Sequence, residues 1–261
     1  MSYHTPQQIV EKINIATANR LKTPISKTFV AALLGGAYIA FGSFLALIIG
    51  GNLPGIQAEN IGLQKLIFGS VFPLGLMLVA IAGAELFTGN TAYFAPSVLS
   101  GKISPLTPFK NGSIVYIGNF IGAIIVSWLF AYYTGMLKDS YAMQNAIAIG
   151  EYKVSKPFLI TLVKGIVCNW MVALAMWMAY AAKDISGKII GIWFPIMAFV
   201  AMGFEHCVAN MFFIPTAIFY GADVTWYQFF IHNLLPVTIG NIIGGGLLVG
   251  TAYWYLYEKK D

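Results

Sequence analysis

The sequence predicts an all-α integral membrane protein: six transmembrane helices as two inverted three-helix repeats, with helices 2 and 5 broken at mid-membrane. Three observations carry that prediction. The composition is 58% hydrophobic and 10% charged with a mean hydropathy of +0.74, far more apolar than a soluble domain, where about a quarter of residues are charged. Apolar runs recur at about residues 28–49, 66–84, 111–134, 157–181, 189–204 and 231–256, most of them near the roughly 20 residues that a helix needs to cross a bilayer. Finally, Gly83-Ala84-Glu85-Leu86-Phe87-Thr88-Gly89-Asn90 ends one short run, and its pattern Gly-x-Glu-x-x-x-x-Asn returns at Gly203-Phe204-Glu205-His206-Cys207-Val208-Ala209-Asn210, 120 residues later.

Residues 1–27 come first. Lys12, Arg20, Lys22 and Lys27 flank Ile9, Val10, Ile13, Ala16 and Leu21, a helical spacing that predicts an interfacial amphipathic helix on the cytoplasmic surface. A disordered tail is the alternative. No signal-peptide core is present.

Residues 28–256 form the transmembrane domain, as repeats 28–134 and 157–256, and 257–261 are a cytoplasmic tail. The second and fifth runs are short, and each is followed by an apolar piece too short to span, near 91–99 and 208–220. They read as helices broken at the Glu segments, whose freed backbone groups must be bonded inside the protein or by cavity water. The repeat reaches further. Ser26-Lys27-x-Phe29 recurs as Ser155-Lys156-x-Phe158, Gly69, Phe72 and Pro73 as Gly191, Phe194 and Pro195, and Asn111 and Asn119 as Asn233 and Asn241.

Three spanning runs per repeat is an odd number, so the second copy enters the membrane from the opposite side. Half-helices beginning near Thr91 and Val208 then aim their N-termini at one central cavity, an arrangement that suits a small anion. Orientation follows from Lys and Arg. Ten of them (four in the N-terminal segment, then Lys102, Lys110, Lys183, Lys188, Lys259 and Lys260) face four on the other side (Lys65, Lys138, Lys153 and Lys156), which puts both termini in the cytoplasm of a cell bounded by this plasma membrane. Lys164 lies within the fourth helix, to snorkel or to face a cavity.

The net charge of +5 forms no stripe that tracks phosphates, so no nucleic-acid partner is expected. Cys168 and Cys207 fall inside apolar runs as small buried hydrophobes, with neither a disulfide, a metal nor a cofactor implied.

Gly83-Ala84-Glu85-Leu86-Phe87-Thr88-Gly89 resembles the signature of the formate/nitrite transporters, and Gly165-Ile166-Val167-Cys168-Asn169-Trp170-Met171-Val172 resembles their second one, with Ala173 where a cysteine is usual. The resemblance covers essentially the whole chain. It implies an aquaporin-like protomer with its own pore, a homopentamer in the lipid bilayer, and transport of formate, nitrite or hydrosulfide, often coupled to protons; formate is favoured. It further implies that Thr88 belongs to the loop interrupting the second helix and His206 to the pore centre. Glu205, Asn169 and Asn210 would support these two, Lys153 would be a vestibule lysine, and Phe72, Leu76, Val172 and Phe199 would form the apolar constrictions.

Plainer readings compete. His206 alone reads equally as a satisfied core residue, Thr88 as a carbonyl-bonding residue beside irregular backbone, the four apolar residues as core and Lys153 as a solvated loop charge. Two other functions also compete. A neutral-solute channel fits the fold. An integral-membrane enzyme would need Glu205-His206-Cys207 as its triad, and adjacent helical residues point about 100 degrees apart and do not converge.

Overall fold

The computed structural model describes residues 3–258. Lys259 and Lys260, and with them most of the expected 257–261 tail, lie outside the described residues. Among the described residues the elements are helices, with one isolated bridge between Tyr3 and Ala182. We number ten of them α1 (Pro6–Lys22), α2 (Ile25–Asn52), α3 (Ile61–Ala82), α4 (Phe87–Leu99), α5 (Leu106–Tyr133), α6 (Tyr141–Val154), α7 (Phe158–Ala181), α8 (Ile185–Ala201), α9 (Cys207–Phe219) and α10 (Gln228–Tyr257), and leave the six-residue helix Pro54–Glu59 unnumbered.

Local chemistry sets many of these boundaries. α1 begins at a capping box in which Thr5 and Gln8 satisfy each other's backbone N–H, with Pro6 at the first position, and it ends with Arg20 and Lys22 over the last carbonyls. Its apolar face is spent on the protein: Ile9, Val10, Ile13 and Thr17 are buried against α4, α7 and α10. Ser140 caps α6 and Asp184 caps α8 through their side-chain oxygens.

Among the described residues five helices are long and apolar enough to cross a membrane: α2, α3, α5, α7 and α10. The fifth expected run, α8, is an apolar helix of 17 residues, about 25 Å at 1.5 Å per residue. Two helices are interrupted where the Glu segments fall. α3 stops at Gly83 (φ 85°) and α8 is followed by Gly203 (φ 75°). Nothing lies within 4 Å of a Cβ built at either glycine, so left-handed backbone rather than lack of space calls for glycine there. Four residues on from each left-handed glycine the helix restarts, α4 at Phe87 and α9 at Cys207.

Three expectations need correction. The first half-helix begins at Phe87, not near Thr91, because a first turn tolerates Gly89 and Asn90 and the N–H of Phe87 already has an acceptor in Asn119. The stretch 138–156, read as a loop, is largely the helix α6. The Ser-Lys-x-Phe match is out of register by one helical turn. In the folded chain Pro24 and Pro157 hold the same place, as N-caps with ψ of 145° and 148°. Leu33 and Ile166 offer their carbonyls at the same place to Gly122 and Gly244, and Arg20 and Lys153 each bind a Glu. Pro24 and Pro157, Leu33 and Ile166, and Arg20 and Lys153 are each separated by 133 positions, whereas Gly122 and Gly244 are separated by 122.

The packing obeys the same pairing. α2 lies against α5 and α3, and α7 against α10 and α8. α9 is buried from Cys207 to Ala217 and forms the centre. Where α7 crosses α10, Gly165, Gly240 and Gly244 bring the backbones into contact, and a Cβ at Gly244 would collide with the Ile166 carbonyl. We expect Gly244→Ala to destabilise the detergent-purified protein by about 1–3 kcal/mol, because the colliding atom is backbone and cannot swing away. Gly55→Ala, where nothing lies within 4 Å, should stay within about 0.5 kcal/mol of the parent in the same thermal melt.

Candidate functional site

The interruptions expose backbone groups that each half of the chain satisfies with the same kit. Asn119 donates to the carbonyls of Ala32 (2.6 Å) and Glu85 (2.9 Å) and accepts from the N–H of Phe87 at 2.9 Å. Asn241 donates to Gly165 (2.8 Å) and Glu205 (3.0 Å) and accepts from Cys207 at 2.9 Å. The Glu85 N–H reaches the Ala31 carbonyl and the Glu205 N–H that of Lys164. Both asparagines are fully buried.

The two carboxylates are paired as well. Glu85 accepts from Arg20 Nε (2.8 Å) and Asn90 Nδ2 (2.7 Å), and Glu205 accepts from Lys153 Nζ (2.8 Å) and Asn210 Nδ2 (2.7 Å). Asn90 and Asn210 bond onward to Asn111 and Asn233. The Glu85 pair borders an open cavity of about 470 Å³, lined also by Leu76, Tyr93, Tyr180 and Lys188.

Between the two clusters the pattern departs from symmetry. His206 is the N-cap of α9: its Nδ1 accepts from the Ala209 N–H at 3.0 Å. The neutral ring therefore carries its proton on Nε2, a tautomer assigned from this network, and donates it to Thr88 Oγ1 at 2.9 Å. Thr88 sits in the first turn of α4, not in the interrupting loop, and its carbonyl accepts from Asn169 Nδ2 and Thr91 Oγ1. The residues in register with His206 and Thr88 are Leu86 and Val208, both apolar and buried. A polar contact between the two helix starts is thus built once rather than twice.

Around it, Phe199 stacks on the His206 ring at 6.0 Å and Phe72 meets Phe199 edge-on at 5.9 Å. Val172 is buried in the same apolar cluster, and Leu76 lies at the inner wall of the cavity. Of the predicted site residues, Thr88, His206, Asn169, Phe72 and Phe199 are brought together. Glu205 and Asn210 do not bond to Thr88 or His206; Asn210 donates to Glu205, and Glu205 holds Lys153, which rides on α6 with its side chain only 13% exposed. That excludes a solvated loop charge. Glu205, His206 and Cys207 turn to Lys153, Thr88 and, through its backbone, Asn241, so the three side chains form no triad.

The sequence reading missed the Arg20–Glu85 pair and the two asparagine clamps. The signal was present, since Asn119 and Asn241 recur among apolar residues where an amide has no other employment.

Comparison with known proteins agrees with this construction. Residues 7–255 match the family described as "Formate/nitrite transporter". The chain is 44% identical to a probable formate transporter of Methanothermobacter thermautotrophicus, over 99% of each chain, and 41% identical to the formate channel BtFdhC of Bacillus thuringiensis, over 100% of this chain and 98% of that one. A solved structure described as a pentameric formate channel with formate bound superposes with a TM-score of 0.78 at 35% identity, covering 90% of this chain and 98% of the other. A chain so matched along nearly its full length, with apolar helices of spanning length, is a membrane protein and belongs to the formate/nitrite transporter family.

Proposed function

We propose that the chain assembles as a homopentamer of separate pores in the plasma membrane and carries a small monovalent anion, formate before nitrite or hydrosulfide. One observation carries the reading: two helix starts meet at a single polar contact, Thr88 with His206, between aromatic side chains. The first-turn N–H groups of Thr88, Gly89 and Val208 have no intrahelical acceptor, and each helix start has an effective charge of about half a unit. Relatives named for formate, and a pentameric neighbour with formate bound, support the substrate and the assembly. Paired helix starts also serve neutral-solute channels, where they repel cations; the cations gathered at Glu85 and Glu205 are what favour an anion.

In this reading six helices cross the membrane as two inverted repeats, 28–134 and 157–256. The 133-residue pairing adds α1 and α6 as their leading helices. Residues 1–27 and the tail 257–261 are cytoplasmic, and the cavity beside Arg20 and Glu85 opens to that side. Lys153 draws the anion from the opposite side, and Phe72, Leu76, Val172 and Phe199 form the constrictions. An apolar constriction opposes the charge of a carboxylate, so a formic-acid-like group with a reference pKa of about 4 gains by accepting a proton there. His206 supplies that proton or stabilises the anion, while Asn169, Glu205 and Asn210 hold the elements in place. A second ring proton would sit on Nδ1 and displace the bond from Ala209, which couples the charge of the ring to the cap of α9.

Three outcomes check this. Tags at the N-terminus and in the loop 182–184 should be reached only from the cytoplasm, and a tag at 138–140 only from outside; a shared side for the two loops would dismantle the inverted repeat. His206→Asn keeps a good capping residue but no titratable ring. Formate flux into proteoliposomes should lose its dependence on pH between about 5 and 8 while the pentamer persists on size exclusion. Glu205→Gln is measured beside it, and a wild-type pH profile in His206→Asn rejects the donor role. Lys153→Gln should lower anion flux about tenfold at low ionic strength, an effect that added salt diminishes. It should also lower stability by about 1–3 kcal/mol, because Glu205 loses a charged donor. Unchanged flux with lowered stability would leave Lys153 only a structural tie.

A further inference from the structure

The two carboxylate clusters differ in charge. Glu85 faces one cation, Arg20, whereas Glu205 faces two: Lys153 at 2.8 Å and Lys164, whose Nζ stands 3.7 Å from the other carboxylate oxygen. The backbone of Lys164 does what Ala31 does in the first half, since each carbonyl accepts the N–H of a Glu. Alanine therefore suffices for the fold at this position. The lysine side chain is an addition, on an apolar helix, with only 19% of it exposed. An ionisable group kept at that depth without a structural need marks a pathway.

Its surroundings aim it. The Tyr152 ring of α6 lies 4.1 Å from Lys156 Nζ and 5.2 Å from Lys164 Nζ, within the range of a cation–π contact. Lys153 Nζ lies 5.7 Å from the Phe213 ring. Three ammonium groups thus run from the α6–α7 junction to Glu205, and the carboxylate cancels one of the two at its end.

We propose that Lys164 is a binding residue for the transported anion, giving the Glu205 cluster one net positive charge that holds a small monovalent anion before it enters the apolar constriction. The inference rests on the anion-transport reading above. Lys153 is committed to Glu205 by a short bond, and Lys164, at the longer distance, has donors left for a ligand. The Glu85 carboxylate is ion-paired with Arg20 alone among the described residues, while Lys188 lines the cavity beside it.

The test compares wild type with Lys164→Ala, the residue of the other half, and with Lys164→Arg. Two measurements are made with formate and nitrite as probes: thermal stabilisation of the purified protein, and flux into proteoliposomes, each at low and high ionic strength set with potassium gluconate. In Lys164→Ala the half-saturating concentration should rise about three- to tenfold at low ionic strength, with the gap narrowing in salt and maximal flux changing less. Lys164→Arg should restore the wild-type value. Wild-type half-saturation in Lys164→Ala overturns the proposal, and so does an arginine variant as impaired as the alanine one, which would mark a packing role. A wild type that is stabilised by the anions through Lys164 yet carries neither would keep this inference and sink the transport reading. One that responds to neither anion in either assay overturns both.

Discussion

A helix that stops inside a bilayer leaves backbone N–H and C=O groups with no water to receive them, each costing several kcal/mol if left unpaired. This protein meets the same constraint in its buried interior, at two helix interruptions, with one residue type. An asparagine amide is short, planar and both donor and acceptor, so a single Asn119 bridges the carbonyl of the extended segment, the carbonyl of the neighbouring helix and the first N–H of the next helix. Asn241 does the same. Once these bonds are made, the directions of α4 and α9 are set relative to α2 and α7, and the close glycine crossings follow, because no side chain fits between backbones held that near. Thr88 and His206 meet because these bonds position the starts of α4 and α9.

Much of this was legible in the sequence, for a reason that also explains where reading stopped. A buried carboxylate or amide is expensive and cannot drift, so Gly-x-Glu-x-x-x-x-Asn and its twin identified the two centres, and the short apolar runs that end there identified the breaks, where the structure has left-handed turns at Gly83 and Gly203. Apolar residues carry no such constraint. The Ser-Lys-x-Phe match was credible as sequence yet one turn out of place, because a helix surface of Phe, Ile and Leu reads alike at i and i+4. The residues that do correspond are Pro24 with Pro157 and Thr28 with Thr161, and all four are confined by helix starts or burial. α6 went unseen for a similar reason. It is polar on one side and short, and its place becomes clear only when Arg20 and Lys153 are recognised as the same position. The bond between Thr88 and His206 was not readable at all from spacing, since its partners lie 118 positions apart and belong to no repeated pair.

The scaffold and the site are therefore separable. What the halves share (glycine turns, asparagine clamps, cation-paired carboxylates) holds the chain together. What they do not share includes three polar positions: His206 stands where the first half has Leu86, Thr88 where the second has Val208, and Lys164 where the first has Ala31. At the buried positions 88 and 206 a polar side chain stands where the other half has an apolar one, and each is accommodated because it is hydrogen-bonded. A fully symmetric chain would present either two histidines to each other or none. With two, like-charged rings would oppose one another on protonation. With none, the helix starts would face an entirely apolar gap.

The pairing of His206 with a hydroxyl rather than a carboxylate follows the same logic. A carboxylate at position 88 would bind the protonated ring as a salt bridge and compete with any anion for it, whereas a threonine oxygen accepts the Nε2 proton without adding charge and keeps its own proton to donate. The carboxylates, though adjacent in sequence to this point, are turned away and neutralised by Arg20 and by the lysines. In the proposed pathway the charge near Thr88 and His206 is then set by the helix starts, by the ring and by the surplus ammonium group of the Glu205 cluster. A small anion between Thr88 and His206 would meet donors alone, the condition under which one short-lived contact is strong enough to admit it and weak enough to let it leave.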